Sequence, residues 1–138
     1  MSPKEYMAEA DRLRRRIERK ENEIRTLRAS AEGMMGAGNN DMPKSDSKNL
    51  HKMESAVCKI IALQEEVSGV RLELDTLMSS MRDEIMCVDD NDARDLLIKR
   101  YLEFKPWKYI FTEMGYSESS CYRLHRYGIS VLKKNDSC

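Results

Sequence analysis

The chain has 138 residues, 41 % apolar and 35 % charged, with 24 Lys+Arg set against 24 Asp+Glu. That length suits one modest domain, or a small domain with an extension. The charged share exceeds the usual quarter, and glycine and proline are few, which points to long solvated helices rather than a compact α/β core. Zero net charge excludes a uniformly basic nucleic-acid binder, so any attraction to phosphate has to come from local asymmetry.

Residues 3–32 read as one long helix. Ser2 can cap it, Pro3 fits its first turn, and Glu5 follows Ser2 at the capping-box spacing. Tyr6, Ala10, Leu13, Ile17, Lys20, Ile24, Leu27 and Ala31 step by four and three. This is a heptad seam with one polar break at Lys20. Thirty residues make a rod of about 45 Å. Arg12, Arg14, Arg15, Arg16, Arg19 and Lys20 form a basic cluster on this rod. It reads either as a second nucleic-acid patch or as coil solvation balanced by Glu18, Glu21 and Glu23.

Residues 33–48, GMMGAGNNDMPKSDSK, break the period and read as a flexible loop. Met34, Met35 and Met42 stand there as apolar residues in a polar setting, packing back on the helix ends or offering a docking surface. A second helix, with Ser47 as a candidate cap, is expected to run from about Lys48 to Cys87. Ile60, Leu63, Val67, Val70, Leu74, Leu77 and Met81 form its seam, and a second stripe through Met53, Val57, Met78, Ile85 and Val88 widens the apolar face. Such a helix can touch its hairpin partner and something else, a second chain or the C-terminal domain. Gly69 inside it marks a close crossing or a bend. Two seam-bearing helices joined by a loop most simply form a long antiparallel hairpin, a coiled coil over residues 1–88.

Asp89-Asp90-Asn91-Asp92 predicts a turn and an N-cap. Ala93 to Phe104 then reads as a helix with Leu96, Leu97, Tyr101, Leu102 and Phe104 inward, stopped at Lys105-Pro106. Pro106 opens the next helix, with Trp107, Ile110, Phe111 and Met114 inward, and Gly115 suits the left-handed position that ends it. Ser117 caps a last helix whose Cys121, Leu124, Gly128, Val131 and Leu132 recur at helical spacing. Residues 89–138 thus make a small trihelical domain, and two short helices about a Gly-containing turn are the sequence form of a helix-turn-helix. The expected fold is all-α throughout.

From Ser119 to Lys134 the charges are Arg123, Arg126, Lys133 and Lys134, with no acid. Recognition helices meet base edges with their first turns. Arg123 is therefore the first candidate for a bidentate pair with guanine. Ser119, Ser120 and Tyr122 are candidates for bases or phosphates. Arg126, Lys105, Lys108 and Lys133 suit phosphate, which sets affinity rather than sequence choice. The competing reading is a merely solvated helix face. His125 has no carboxylate or metal partner at ligand spacing and reads as a surface or half-buried polar group.

The run RYLEFKPWKYIFTEMGYSESSCYRLHRYGISVLKK resembles region 4 of bacterial sigma factors. The whole chain is similar to small phage and prophage proteins grouped with the RinA- and ArpU-type late transcriptional regulators. The matching pieces are Asp41-Met42-Pro43, Ala56 to Leu63 and Tyr122-Arg123-Leu124-His125-Arg126. In that family the small residue of the last helix corresponds here to Gly128, and the usual small, close-packing residue after Pro106-Trp107 is Phe111. The resemblance implies a DNA-binding regulator that acts on promoter DNA in a bacterial host.

Cys58, Cys87, Cys121 and Cys138 include no C-x-x-C pair, and with only His51 and His125 no zinc spacing arises. Reduced structural thiols in a cytoplasmic protein are expected. The amino-terminal segment lacks the apolar stretch of a signal peptide, and no run approaches the ~20 apolar residues that span a bilayer. No phosphate loop, nucleophile elbow or metal motif appears, so neither an enzyme nor a cofactor or small-molecule substrate is expected. The expected partners are double-stranded DNA, a second copy in a homodimer, or RNA polymerase. The alternative function is an interaction protein that binds or inhibits a host protein through the hairpin without touching DNA.

Overall fold

A computed structural model describes residues 1–36 and 43–135, with side chains omitted at 34–36, 43–47 and 134–135. Expectations for Met42 and Cys138 fall outside these described residues, and those for the side chains of Met34, Met35, Ser47 and Lys134 outside the described side chains. Every element among the described residues is helical: α1 Pro3–Gly36, α2 Pro43–Met86, α3 Asn91–Leu97, a π-helical turn Ile98–Leu102, α4 Trp107–Met114 and α5 Glu118–Asn135. None of these helices is long and apolar enough to cross a membrane. Both long helices run into the segment read as a loop. A built Cβ at Gly33 would meet no neighbouring atom, and Pro43 takes a position where its missing N–H is no loss.

Contacts divide the chain into two compact units, Met1–Asp11 with Leu74–Cys138, and Arg12–Glu73. This grouping follows contacts in space, whereas the expected division at residue 88 follows chain order.

The middle unit, 12–73, is held by a thin seam. Ile24 packs with Ile60 and Val67, flanked by Ile17, Leu27 and Leu63. The polar break in the seam has a partner. The Lys20 ammonium meets the Glu66 carboxylate, and Arg71 meets Glu21. Gly69 is neither a close crossing nor a break in α2: a Cβ there would meet nothing within 4 Å, and the helix continues through it.

The other unit has a thicker core. At its start, Ser2 and Glu5 form the reciprocal capping box: the Glu5 amide donates to Ser2 Oγ at 3.1 Å and the Ser2 amide to Glu5 Oε2 at 3.3 Å. Tyr6 and Ala10 of α1 pack with Met81, Ile85 and Val88, and with Ala93, Leu97, Tyr101 and Leu132. Asp90 Oδ1 caps α3 by accepting from the Ala93 amide at 2.9 Å.

The helix expected over 93–104 is α-helical only to Leu97. A π turn follows, in which the Glu103 amide reaches back to the Ile98 carbonyl at 2.9 Å. Phe104 then adopts a left-handed conformation, φ 58°, and the Lys105 amide bonds to the Lys99 carbonyl at 2.9 Å. In a regular α-helix that amide would have used the Tyr101 carbonyl. The freed carbonyl accepts instead from Tyr6 Oη at 2.7 Å, a buried bond between residues 95 positions apart. Widening the helix by one residue per turn thus ties its end to α1. No side-chain pattern in this stretch announces it.

Candidate nucleic-acid interface

The site is built on α4, the turn after it, and α5. Pro106, at φ −68° and ψ 154°, leads into α4, and Gly115 ends it in the left-handed conformation at φ 71°. A residue with a Cβ is disfavoured there. Ser117 then starts α5, its Oγ accepting from the Ser120 amide at 3.3 Å. A small core of Leu96, Ile110 and Cys121, with Trp107, Phe111, Met114 and Leu124 around it, holds α4 and α5 on α3.

Gly128 sets the distance between α5 and α3. A Cβ at this position would lie 2.8 Å from Leu97 Cδ1 and 3.1 Å from Leu97 Cγ, and Leu97 is fully buried. A poor helix former is thus used where only its bare backbone fits.

With Cys121, Gly128 and Leu132 buried, the opposite face of α5 carries Ser119, Tyr122, Arg123, Arg126, Ser130 and Lys133, all exposed. These positions step by three, four and seven and so line one stripe. It holds three cations and no acid. Among the described residues, neither Arg123 nor Arg126 has a hydrogen bond or ion pair within the chain.

The eight residues singled out from sequence separate into two groups. Ser119, Arg123, Arg126 and Lys133 share the α5 stripe with Tyr122, and Lys108 is exposed on α4. Ser119 also takes part in the cap, its Oγ 3.3 Å from Ser117 Oγ, and the other three are engaged as well. Ser120 is half-buried in the cap, its Oγ 3.0 Å from Ser117 Oγ. Tyr122 packs its ring against Trp107 at 5.1 Å and Phe111 at 5.5 Å, though it stays 40 % exposed. Lys105 lies 3.2 Å from Glu113 and 3.4 Å from Glu103, and its ammonium stands 4.6 Å from the Tyr109 ring centre. A cation so held has less to give a phosphate than Lys108 or Arg126.

His125 sits half-buried behind this stripe. Its Nε2 is 2.8 Å from Tyr101 Oη, and its ring meets the Trp107 ring edge-on at 4.8 Å. Burial, and then the nearby Arg100 charge, lower its pKa to about 4. It is uncharged at neutral pH and adds no cation to the face. Burial likewise raises the Tyr101 pKa.

Sequence reasoning missed two cations. A groove of about 590 Å³ beside α5 is lined by Lys4, Arg100 and Lys133, with Asp11, Trp107 and His125 among the others. Arg100 is anchored there by its bond to the Lys105 carbonyl at 3.1 Å and by lying 5.1 Å from the Trp107 ring centre. Lys4 and Lys133 are too far apart in sequence for any local pattern to link them.

Of the three cysteines described, Cys121 alone is buried, and burial raises its pKa, whereas Cys58 and Cys87 are exposed free thiols rather than core residues. Among the described residues no cluster of His, Cys, Asp and Glu could hold a metal ion. Compared with protein-family models, with curated proteins and with solved structures, the chain matches none.

Proposed function

We propose that the chain is a sequence-specific DNA-binding transcriptional regulator of the phage-encoded RinA/ArpU type that it resembles. In this reading α3, α4 and α5 form a trihelical helix-turn-helix and α5 enters the major groove. The long helices α1 and α2 act as an antiparallel coiled hairpin for dimerisation or RNA polymerase contact.

One observation carries the reading: Arg123 and Arg126 stand exposed on an α5 face that bears no acid. Arg123, near the start of α5, reads guanine, with Ser119 beside it. Arg126, Lys108 and Lys133 meet phosphates. Roughly three to six phosphate contacts bind weakly at physiological salt, so a second copy or a polymerase has to raise the local concentration.

Fluorescence anisotropy with promoter DNA over a salt series tests this. Affinity is expected to fall steeply with salt. Arg123→Ala should lose discrimination by about 1–3 kcal/mol at one base pair. Arg126→Ala should weaken all sequences alike and reduce the salt slope by about one. Absence of DNA binding even at low salt would sink the reading. It would leave the interaction-protein reading, which the exposed apolar residues of α2 favour.

A further inference from the structure

Four large apolar side chains of α2 lie open in the middle unit: Leu50 is 57 % exposed, Val57 47 %, Ile61 50 % and Leu72 68 %. Their spacings are seven, four and eleven residues. At 3.6 residues per turn they fall within about 60° of one another, forming one straight line some 33 Å long. Ile60 and Val67, which pack in the seam with Ile24, point about a third of a turn away. Glu54 and Ser68 share this line and Glu65 stands beside it, so α2 carries a second, mixed face that stays exposed.

We propose that this second face is a self-association surface, on which α2 of a second copy lies antiparallel with Ile61 at the two-fold axis. The spacing favours a copy of the same chain. Leu50 and Leu72 are each eleven residues from Ile61. A two-fold axis through Ile61 therefore sets Leu50 of each copy against Leu72 of the other, and Ile61 against itself. Three of the four apolar residues thus meet apolar counterparts, as an isologous dimer requires, while Val57 faces Glu65 of the partner subunit.

The charges on and beside this line choose the direction. A parallel pair aligns Glu54 with Glu54 of the partner subunit, and Glu65 with Glu65 of the partner subunit. The antiparallel pair sets Glu54 opposite Ser68 of the partner subunit, and Glu65 opposite Val57 of the partner subunit. Glu54, Glu65 and Ser68 are all exposed. Like charges facing each other are disfavoured.

A strip about 33 Å long on a helix about 10 Å wide buries on the order of 1,000 Å² between two copies, the lower bound for a specific pair. The dimer is accordingly weak and depends on concentration. The proposal gives the dimerisation half of the functional reading an address and rests on that half alone. Measurements without DNA keep the two separate.

Sedimentation equilibrium of the full chain, free of DNA and under reducing conditions, is run from about 1 µM to about 1 mM. The mass is expected to rise from that of one chain to that of two. Ile61→Lys replaces an exposed side chain, so helicity by circular dichroism is retained while the dissociation constant rises at least tenfold. A chain that stays monomeric at about 1 mM, or an Ile61→Lys variant that associates as the parent does, overturns the proposal. Direction is read by oxidation in a background with Cys58, Cys87 and Cys138 changed to serine. Leu50→Cys mixed with Leu72→Cys should cross-link, and Leu50→Cys alone should not. Cross-linking of Leu50→Cys alone at equal yield overturns the antiparallel arrangement.

Discussion

The two units are stabilised in different ways. The unit of residues 1–11 and 74–138 closes a core in which Ile85, Val88, Leu96, Leu97 and Ile110 have no exposure, and it adds a buried tyrosine bond between distant segments. In the middle unit Leu13 and Val70 are buried to 2 % and 4 % exposure, but the packed seam of Ile24, Ile60 and Val67 keeps 7–9 %, and its edge carries ion pairs. The same periodic apolar pattern therefore yields a closed core where several elements converge and a wet seam where two faces meet. Both units nonetheless leave apolar side chains open: Leu50, Val57, Ile61 and Leu72 in the middle unit, and Met86, Tyr109, Tyr116, Tyr122 and Tyr127 in the other.

The contrast can be broken most sharply by cavities. Ile110→Ala should cost about 3 kcal/mol, because a fully buried site cannot collapse fully around the lost atoms. Ile60→Ala should cost clearly less, because water already reaches its edge. Urea denaturation midpoints of the two variants decide, and equal losses would remove the distinction.

Acid should act on the first unit next. The His125 pKa of about 4 lies below its ordinary 6.5, so the unfolded chain binds the proton more readily. The stabilising contribution is intact above pH 6.5, falls by about 2 kcal/mol as pH drops through 4, and levels off about one unit below that. His125→Gln should flatten this portion of the stability profile, read by urea titrations at pH 7.5, 5.5 and 4.

Two glycines then sharpen the comparison with one chemical change. Gly128→Ala drives a methyl into Leu97 and should destabilise by about 1–2 kcal/mol. Gly69→Ala meets open space in mid-helix and should stabilise by about 0.5–1 kcal/mol. The opposite signs, read as shifts in thermal midpoint, follow from the neighbours alone.

Much of this was legible in the chain. The α1 seam from Tyr6 to Ala31 is buried or half-buried at every position. Ser2, Asp90, Gly115 and Ser117 act where capping chemistry placed them, because caps depend on a few adjacent residues. Long-range geometry was not legible. The π turn leaves the Tyr101 carbonyl to Tyr6, and no local pattern encodes a bond across 95 residues. The role of Gly128 depends on Leu97, and that of Lys105 on Glu113. Exposure also inverted one reading: Val57 continues an apolar stripe yet faces outward, since periodicity reports direction on a helix and not what lies there.

The bond from Tyr6 to the Tyr101 carbonyl has a bearing on biosynthesis. A ribosome delivers residue 6 long before residue 101, whereas residues 12–73 emerge as one uninterrupted stretch. The seam is thus the first structure the nascent polypeptide can complete. The amino-terminal turns must wait, with Tyr6 and Ala10 uncovered, until α3 and the π turn have left the exit tunnel.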